Sequence, residues 1–110
     1  MPVAKQYEDA DGRCLFEEWF VDPHPPAAKK VTAAIIRMEQ GNFSNVKAVG
    51  PGVFEYKIDF GPGYRIYFGK DGDRLLILLG GGTKKKQQRD INLATARWHD
   101  YKRRKRQGTI

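Results

Sequence analysis

Lys57, Arg65, Lys84 and Asp90 are the residues of this 110-residue chain whose types and spacing could do chemistry. Arg65 stands in the middle of an apolar strand pattern, Tyr64-Arg65-Ile66-Tyr67-Phe68, where a cation needs a reason. By alternation it points away from Tyr64 and Ile66, toward the face on which Lys57 of the preceding strand falls. Lys84, Lys85 and Lys86 follow the glycine run Gly80-Gly81-Gly82, and Arg89 and Asp90 come a few residues later. Two readings fit. In one, the sheet face is exposed and Arg65 pairs with Asp59 or Glu55 across the strands, an interaction of under about 1 kcal/mol. In the other, Lys57, Arg65 and Lys84–Lys86 form a cationic concavity that grips a phosphodiester. The glycine run beside Lys84 resembles a phosphate-cradling turn but lacks P-loop spacing, which argues against a nucleoside triphosphate site. Asp90 could act as an acid or base, or could open a helix because the dipole favours it there.

The elements that must position these residues start with the stretch Val53–Lys86, which reads as a three-stranded antiparallel meander. Val53–Phe60 alternates Phe54, Tyr56, Ile58 and Phe60 against Glu55, Lys57 and Asp59, so one face is buried and the other wet. Gly61-Pro62-Gly63 turns the chain, and Lys70-Asp71-Gly72-Asp73 carries an Asp-Gly turn signal. Leu75–Leu79 is apolar throughout, as in a central strand covered on both faces. The glycines after it are expected to break that strand. Val3–Tyr7 is a candidate edge strand. Leu15–Val21 and about Pro26–Gln40 read as an αα-hairpin with His24 in its proline-rich connection, and Ala28, Val31, Ile35 and Met38 form the second helix's stripe. Gly41–Gly52 reads as the link from helix to sheet. A last helix, about Lys86–Lys105, aligns Ile91, Ala94, Trp98 and Tyr101. Phe54, Tyr56, Ile58, Tyr64, Ile66, Trp19, Ile35 and Trp98 are expected to be mostly buried.

Length and composition point to one α+β domain over 1–110, with 107–110 a loose tail. Aromatic residues make up 12% of the chain, which argues against disorder. No apolar run or leader pattern suggests a membrane span or export, so a cytoplasmic location is expected. The single cysteine, Cys14, excludes an internal disulfide, and with two distant histidines it makes a poor metal set; neither metal nor cofactor is expected. Charge is polarised. Residues 83–110 hold ten Lys or Arg against two acids, +8, while the first 82 hold ten against eleven, −1. A basic end on a neutral body calls for an anionic partner, nucleic acid ahead of membrane.

These motifs are shared with a known group. Phe54-Glu55-Tyr56-Lys57-Ile58, then Gly61-Pro62-Gly63-Tyr64-Arg65-Ile66-Tyr67-Phe68, Leu76-Ile77-Leu78-Leu79 and Gly81-Gly82 with Lys84, Gln87, Asp90 and Ile91 resemble the RelE/ParE toxin superfamily of type II toxin–antitoxin systems. More narrowly they are similar to the phage-related HigB-like addiction-module killer proteins. Phe16-Glu17-Glu18-Trp19 and Gly41-Asn42-Phe43 with Val46-Lys47 extend the likeness over nearly the whole chain. The resemblance implies a RelE-like, microbial-ribonuclease-like fold, β-α-α-β-β-β-α, with a curved antiparallel sheet packed by helices. RelE-like members cut mRNA on the ribosome without metal, and ParE-like members inhibit DNA gyrase. Both are held inactive by an antitoxin, which in HigB-like modules usually carries a helix-turn-helix.

Carried over by position, Arg65 is assigned to the phosphate, Lys84 to phosphate or leaving group, and Lys57 to the general base. Asp90 is a further catalytic candidate, with Lys85, Lys86 and Arg89 as RNA contacts. Arg65→Ala is then expected to abolish toxicity and leave the fold intact. Two departures keep a non-cutting toxin open. RelE has a tyrosine in its last helical segment where this chain has Gln87, Arg89 and Asp90, with Tyr101 about three turns on. Asp59 stands where RelE has a second lysine. A plain nucleic-acid-binding module is the third reading.

Overall fold

The computed structural model describes residues 1–20 and 25–110. In chain order the elements are β1 (Val3–Gln6), α1 (Leu15–Phe20), α2 (Pro25–Glu39), β2 (Val46–Gly50), β3 (Val53–Ile58), β4 (Tyr64–Asp71), β5 (Leu75–Thr83), a single 3-10 turn at Lys84–Lys86, and α3 (Gln87–Arg106). The protein is α+β. Its strands form one five-stranded sheet in the order β1-β5-β4-β3-β2. β2 to β5 pair antiparallel, as the meander pattern requires, whereas β1 runs parallel to β5. The sheet is therefore mixed rather than wholly antiparallel, because no hairpin joins β1 to β5 and pairing direction is free to follow the helical crossover. The connection containing His24 lies outside the described residues.

Two further expectations need correction. Gly41–Gly52 is more than a link, since it contains β2, which adds a strand to the expected element order. An edge strand needs only one partner, so its mixed polarity left little periodic signal. Nor do the glycines break β5: Gly80, Gly81 and Gly82 lie opposite Tyr67, Ile66 and Arg65 of β4. A bulge explains how they fit. The pairing slips between Tyr67 and Phe68, leaving Leu79 as the extra residue and reversing the facing of everything after it. Gly80 and Gly82 then face α3, while Gly81 faces Trp19 of α1. A methyl group on any of the three would collide with Arg97, Asp90 or the Trp19 ring, so the glycines are where helices approach the backbone.

Each face of the sheet carries its own core. On one, Tyr56, Ile58, Tyr64, Ile66, Phe68, Leu76 and Leu78 pack with Phe16 of α1 and with Ala27, Val31, Ala34 and Met38 of α2. The α2 stripe is thus rotated from the expected one, and Ala28 and Ile35 lie at its margin, half-buried. On the other face, Val53, Tyr67, Ile77 and Leu79 pack with Tyr7 and with Ala94 and Trp98 of α3. Among the residues expected to be buried, Tyr56, Ile58, Tyr64, Ile66 and Trp98 are, whereas Phe54, Trp19 and Ile35 are half-buried. Because α3 covers the second face at Val53 and Glu55, β3 is buried on both sides there, and Glu55 lies in the interior rather than on a wet face.

α3 is secured at its far end by polar contacts. Tyr7 Oη donates to Asp100 Oδ2 at 2.6 Å, and Tyr101 Oη donates to Asp71 Oδ2 at 2.6 Å. Arg104 bonds the Glu8 carbonyl. Gln107–Ile110 is exposed, although Thr109 N donates to Arg104 O at 3.0 Å. Among the described residues no helix is long and apolar enough to cross a membrane.

The packing of Trp98 gives a first test. A Cβ at Gly69 would enter the Trp98 ring, so Gly69→Ala should cost about 1–3 kcal/mol in urea unfolding. In a Trp98→Leu background the same change should cost less, and an unchanged cost would refute the contact. The tyrosines give a second. Burial, then the hydrogen bond to a carboxylate, pushes Tyr7 and Tyr101 from an ordinary value near 10 up to about 12. A raised folded pKa means stability that is complete below pH 10 and is lost as pH rises through 12. The urea midpoint should therefore fall across pH 10–12, and less steeply in Tyr7→Phe/Tyr101→Phe; parallel declines would contradict the assignment.

Candidate functional site

The residues singled out by type converge at one end of the sheet because of strand register. Lys57 lies opposite Arg65, and Arg65 lies opposite Gly82, so three adjacent strands bring one row across the same face. Lys84 follows two residues beyond Gly82. Its N–H donates to Gly63 O at 2.9 Å, and Arg65 Nη1 donates to the same carbonyl at 3.1 Å. One turn carbonyl thus ties Arg65 to the backbone that carries the lysine run. The positive φ of Gly63, 80°, lets the turn present that oxygen inward.

Arg65 itself is enclosed, at 5% exposure. Its Nε lies 3.2 Å from Oε1 of Glu55, whose side chain has no exposed surface. Gln87 Nε2, from the first turn of α3, donates to Glu55 Oε2 at 2.8 Å, so both carboxylate oxygens are occupied. Of the two sequence readings for Arg65, the pairing with Glu55 is present, but it is buried, where each partner depends on the other far more than on a surface. The expectation that Arg65→Ala would leave the fold intact is corrected for that reason. Gln87 was missed as a partner, since nothing in a helix-start glutamine signals a carboxylate on a distant strand.

Asp90 is also enclosed, in the first turn of α3, with its carboxylate packed against Gly82. Oδ1 lies 3.3 Å from Arg89 Nη2. Behind it is Tyr67, whose hydroxyl is buried and has no hydrogen-bond partner among the described residues. Burial, and then the nearby Glu55 and Asp90 carboxylates, hold that phenol protonated well above its usual range, with Arg65 opposing. Arg97, half enclosed by α3 and β5, donates to Leu79 O at 2.8 Å, and burial lowers its pKa.

The remaining candidates face solvent. Lys84, Lys85 and Lys86 are exposed on the 3-10 turn, and the Arg89 side chain is 62% exposed. Lys57 is 53% exposed, with its ammonium 3.5 Å from the Asp59 carboxylate. The site is a rim of exposed cations over a layer of buried Glu55, Arg65 and Asp90 with half-buried Gln87. Such an arrangement can attract and orient a polyanion through its rim, while the layer beneath fixes the backbone that carries the rim. Among the described residues no group of three or more His, Cys, Asp and Glu side chains is placed to hold a metal ion.

Removal of Arg65 tests the buried pair. Arg65→Ala leaves Glu55 without its cation and should cost about 3–5 kcal/mol, whereas Glu55→Gln/Arg65→Met should cost clearly less. Strict additivity of the two sites in urea unfolding would show that they do not couple.

No family model matches the sequence. The chain is 42% identical over 80 residues to an uncharacterized protein of Haemophilus influenzae, an alignment that spans 72% of this chain and 81% of that one. At that identity and coverage, the chain belongs to the same family as this Haemophilus protein.

Proposed function

We propose that this protein is the toxin of a type II toxin–antitoxin module with a RelE-like fold, acting as a metal-independent, ribosome-dependent mRNA endoribonuclease in the cytoplasm. The observation that carries the reading is the rim of exposed cations, Lys57, Lys84, Lys85, Lys86 and Arg89, at one end of the sheet. The motifs that resemble those of RelE/ParE toxins include Lys57 and Lys84 of this rim. In the proposed reaction the ribose 2′-oxygen attacks its own phosphorus, and the 5′-oxygen leaves. Lys57 takes the 2′ proton in its free-amine form, becoming an ammonium, and Lys84, as an ammonium, neutralises the phosphate or protonates the leaving oxygen. Arg65, held by Glu55, acts by positioning: it shares the Gly63 carbonyl with the Lys84 N–H. The partner that restrains the toxin is a helix-turn-helix antitoxin whose acidic segment is drawn to the +8 of residues 83–110.

One observation favours a second reading. Arg65 and Asp90, two of the four catalytic candidates, are buried, which suits a ParE-like toxin that binds DNA gyrase without cutting. A nucleic-acid-binding module without activity would share the same cations and would not arrest growth.

Primer extension on cellular mRNA after brief induction separates these. The nuclease gives discrete, translation-dependent cuts; intact mRNA with SOS induction would transfer the assignment to gyrase. Lys84→Ala, at an exposed position, should keep the fold and lower cleavage about 10²- to 10³-fold. A folded Lys84→Ala protein that cuts like the parent would remove Lys84 from the mechanism.

A further inference from the structure

A second concave surface lies beside this rim, between α2 and the β2–β3 edge. It is a cleft of about 560 Å³ lined by Lys30 and Arg37 from α2, and by Asn45, Lys47, Lys57 and Asp59 from the strands and their ends. Four of the ten cations in residues 1–82 line it, against one of the eleven acids, so positive charge is concentrated here within a body that otherwise carries more acids than cations. That acid, Asp59, is already engaged by Lys57. Lys47 reaches only to 4.0 Å from Glu55, whose oxygens are occupied by Arg65 and Gln87. Among the described residues neither Lys30 nor Arg37 forms an ion pair.

We propose that this cleft binds the phosphodiester backbone of single-stranded RNA, gripping nucleotides beyond those held at Lys57 and Lys84. The inference rests on the RNA reading above and extends it to a second stretch of the strand. Lys57 belongs to both surfaces, so a polymer leaving the rim at Lys57 passes directly into the cleft. Lys30 and Arg37 are two helical turns apart, about 10 Å along α2, and together meet successive charges of an extended chain rather than one small anion. Asn45, whose amide lies 3.5 Å from the Tyr56 hydroxyl, offers a neutral donor between the two charged walls. Sequence-independent contacts of this kind supply affinity that falls with salt.

The test is fluorescence anisotropy with a labelled oligouridylate and no ribosomes, titrated over salt concentration. Lys30→Ala/Arg37→Ala changes two exposed side chains, so the urea midpoint should stay at the parent value. The slope of log affinity against log salt should shrink by about 1.4, with affinity down about 10- to 30-fold near 0.1 M salt. An unchanged slope overturns the cleft. A polyglutamate peptide that displaces the RNA at equal charge concentration also overturns it, in favour of an acidic protein segment. Cleavage is scored separately: RNA binding that depends on Lys30 and Arg37 sustains the cleft even if primer extension shows no cuts, and cuts that survive in the double variant sustain the nuclease alone.

Discussion

A carboxylate with no exposed surface, Glu55, sets the terms for the end of the molecule where the candidate site lies. An unpaired charge at that depth would cost several kcal/mol, and three separate segments supply what it needs. Arg65 reaches it diagonally from the next strand, Gln87 reaches it from the first turn of α3, and Lys47 approaches from β2. Because Arg65 also bonds the Gly63 carbonyl, the same interaction fixes the β3–β4 turn and, through it, the chain at Lys84. A buried ion pair of this kind adds little net stability over an apolar replacement. What it does here is restrict register: a slip of one residue in β3 would turn Glu55 to the opposite, wholly apolar face.

Close approach of helices to backbone is the second constraint. Trp19 lies on Gly81, Asp90 on Gly82, and Trp98 on Gly52 and Gly69, so aromatic and acidic side chains occupy space that a Cβ would otherwise take. The bulge at Leu79 makes this possible on both faces at once, since it lets neighbouring glycines of one run serve α1 and α3 alternately. α3 then lies along the sheet with its first turn at Glu55 and its last turns at Asp71 and Glu8. Its many cations are thereby spread from the rim to the opposite end.

The division between buried and exposed candidates carries the functional argument. Lys57, Lys84, Lys85, Lys86 and Arg89 keep their side chains in water, where they can meet an anion. Arg65 and Asp90 are committed to the interior, and their influence on any ligand passes through the geometry they impose. A rim of this kind draws a polyanion by its field, and rigid support below lets individual cations act at fixed places.

The sequence by itself determined the elements with strong local signals. Alternation and turn chemistry placed β3, β4 and the start of β5, and helical spacing placed α2 and α3 to within a residue or two. The position of Arg65 on the face of Lys57 was also legible, because alternation follows from the pleat alone. Tertiary structure decided the rest. β2 has too little periodic contrast to be seen until β3 offers it a partner. The glycine run reads locally as a breaker and becomes strand only because two helices need the room. Glu55 reads as a surface acid because its neighbours alternate. Only the arrival of α3 on that face, 32 residues away in the chain, turns it into a buried charge that requires Arg65 and Gln87.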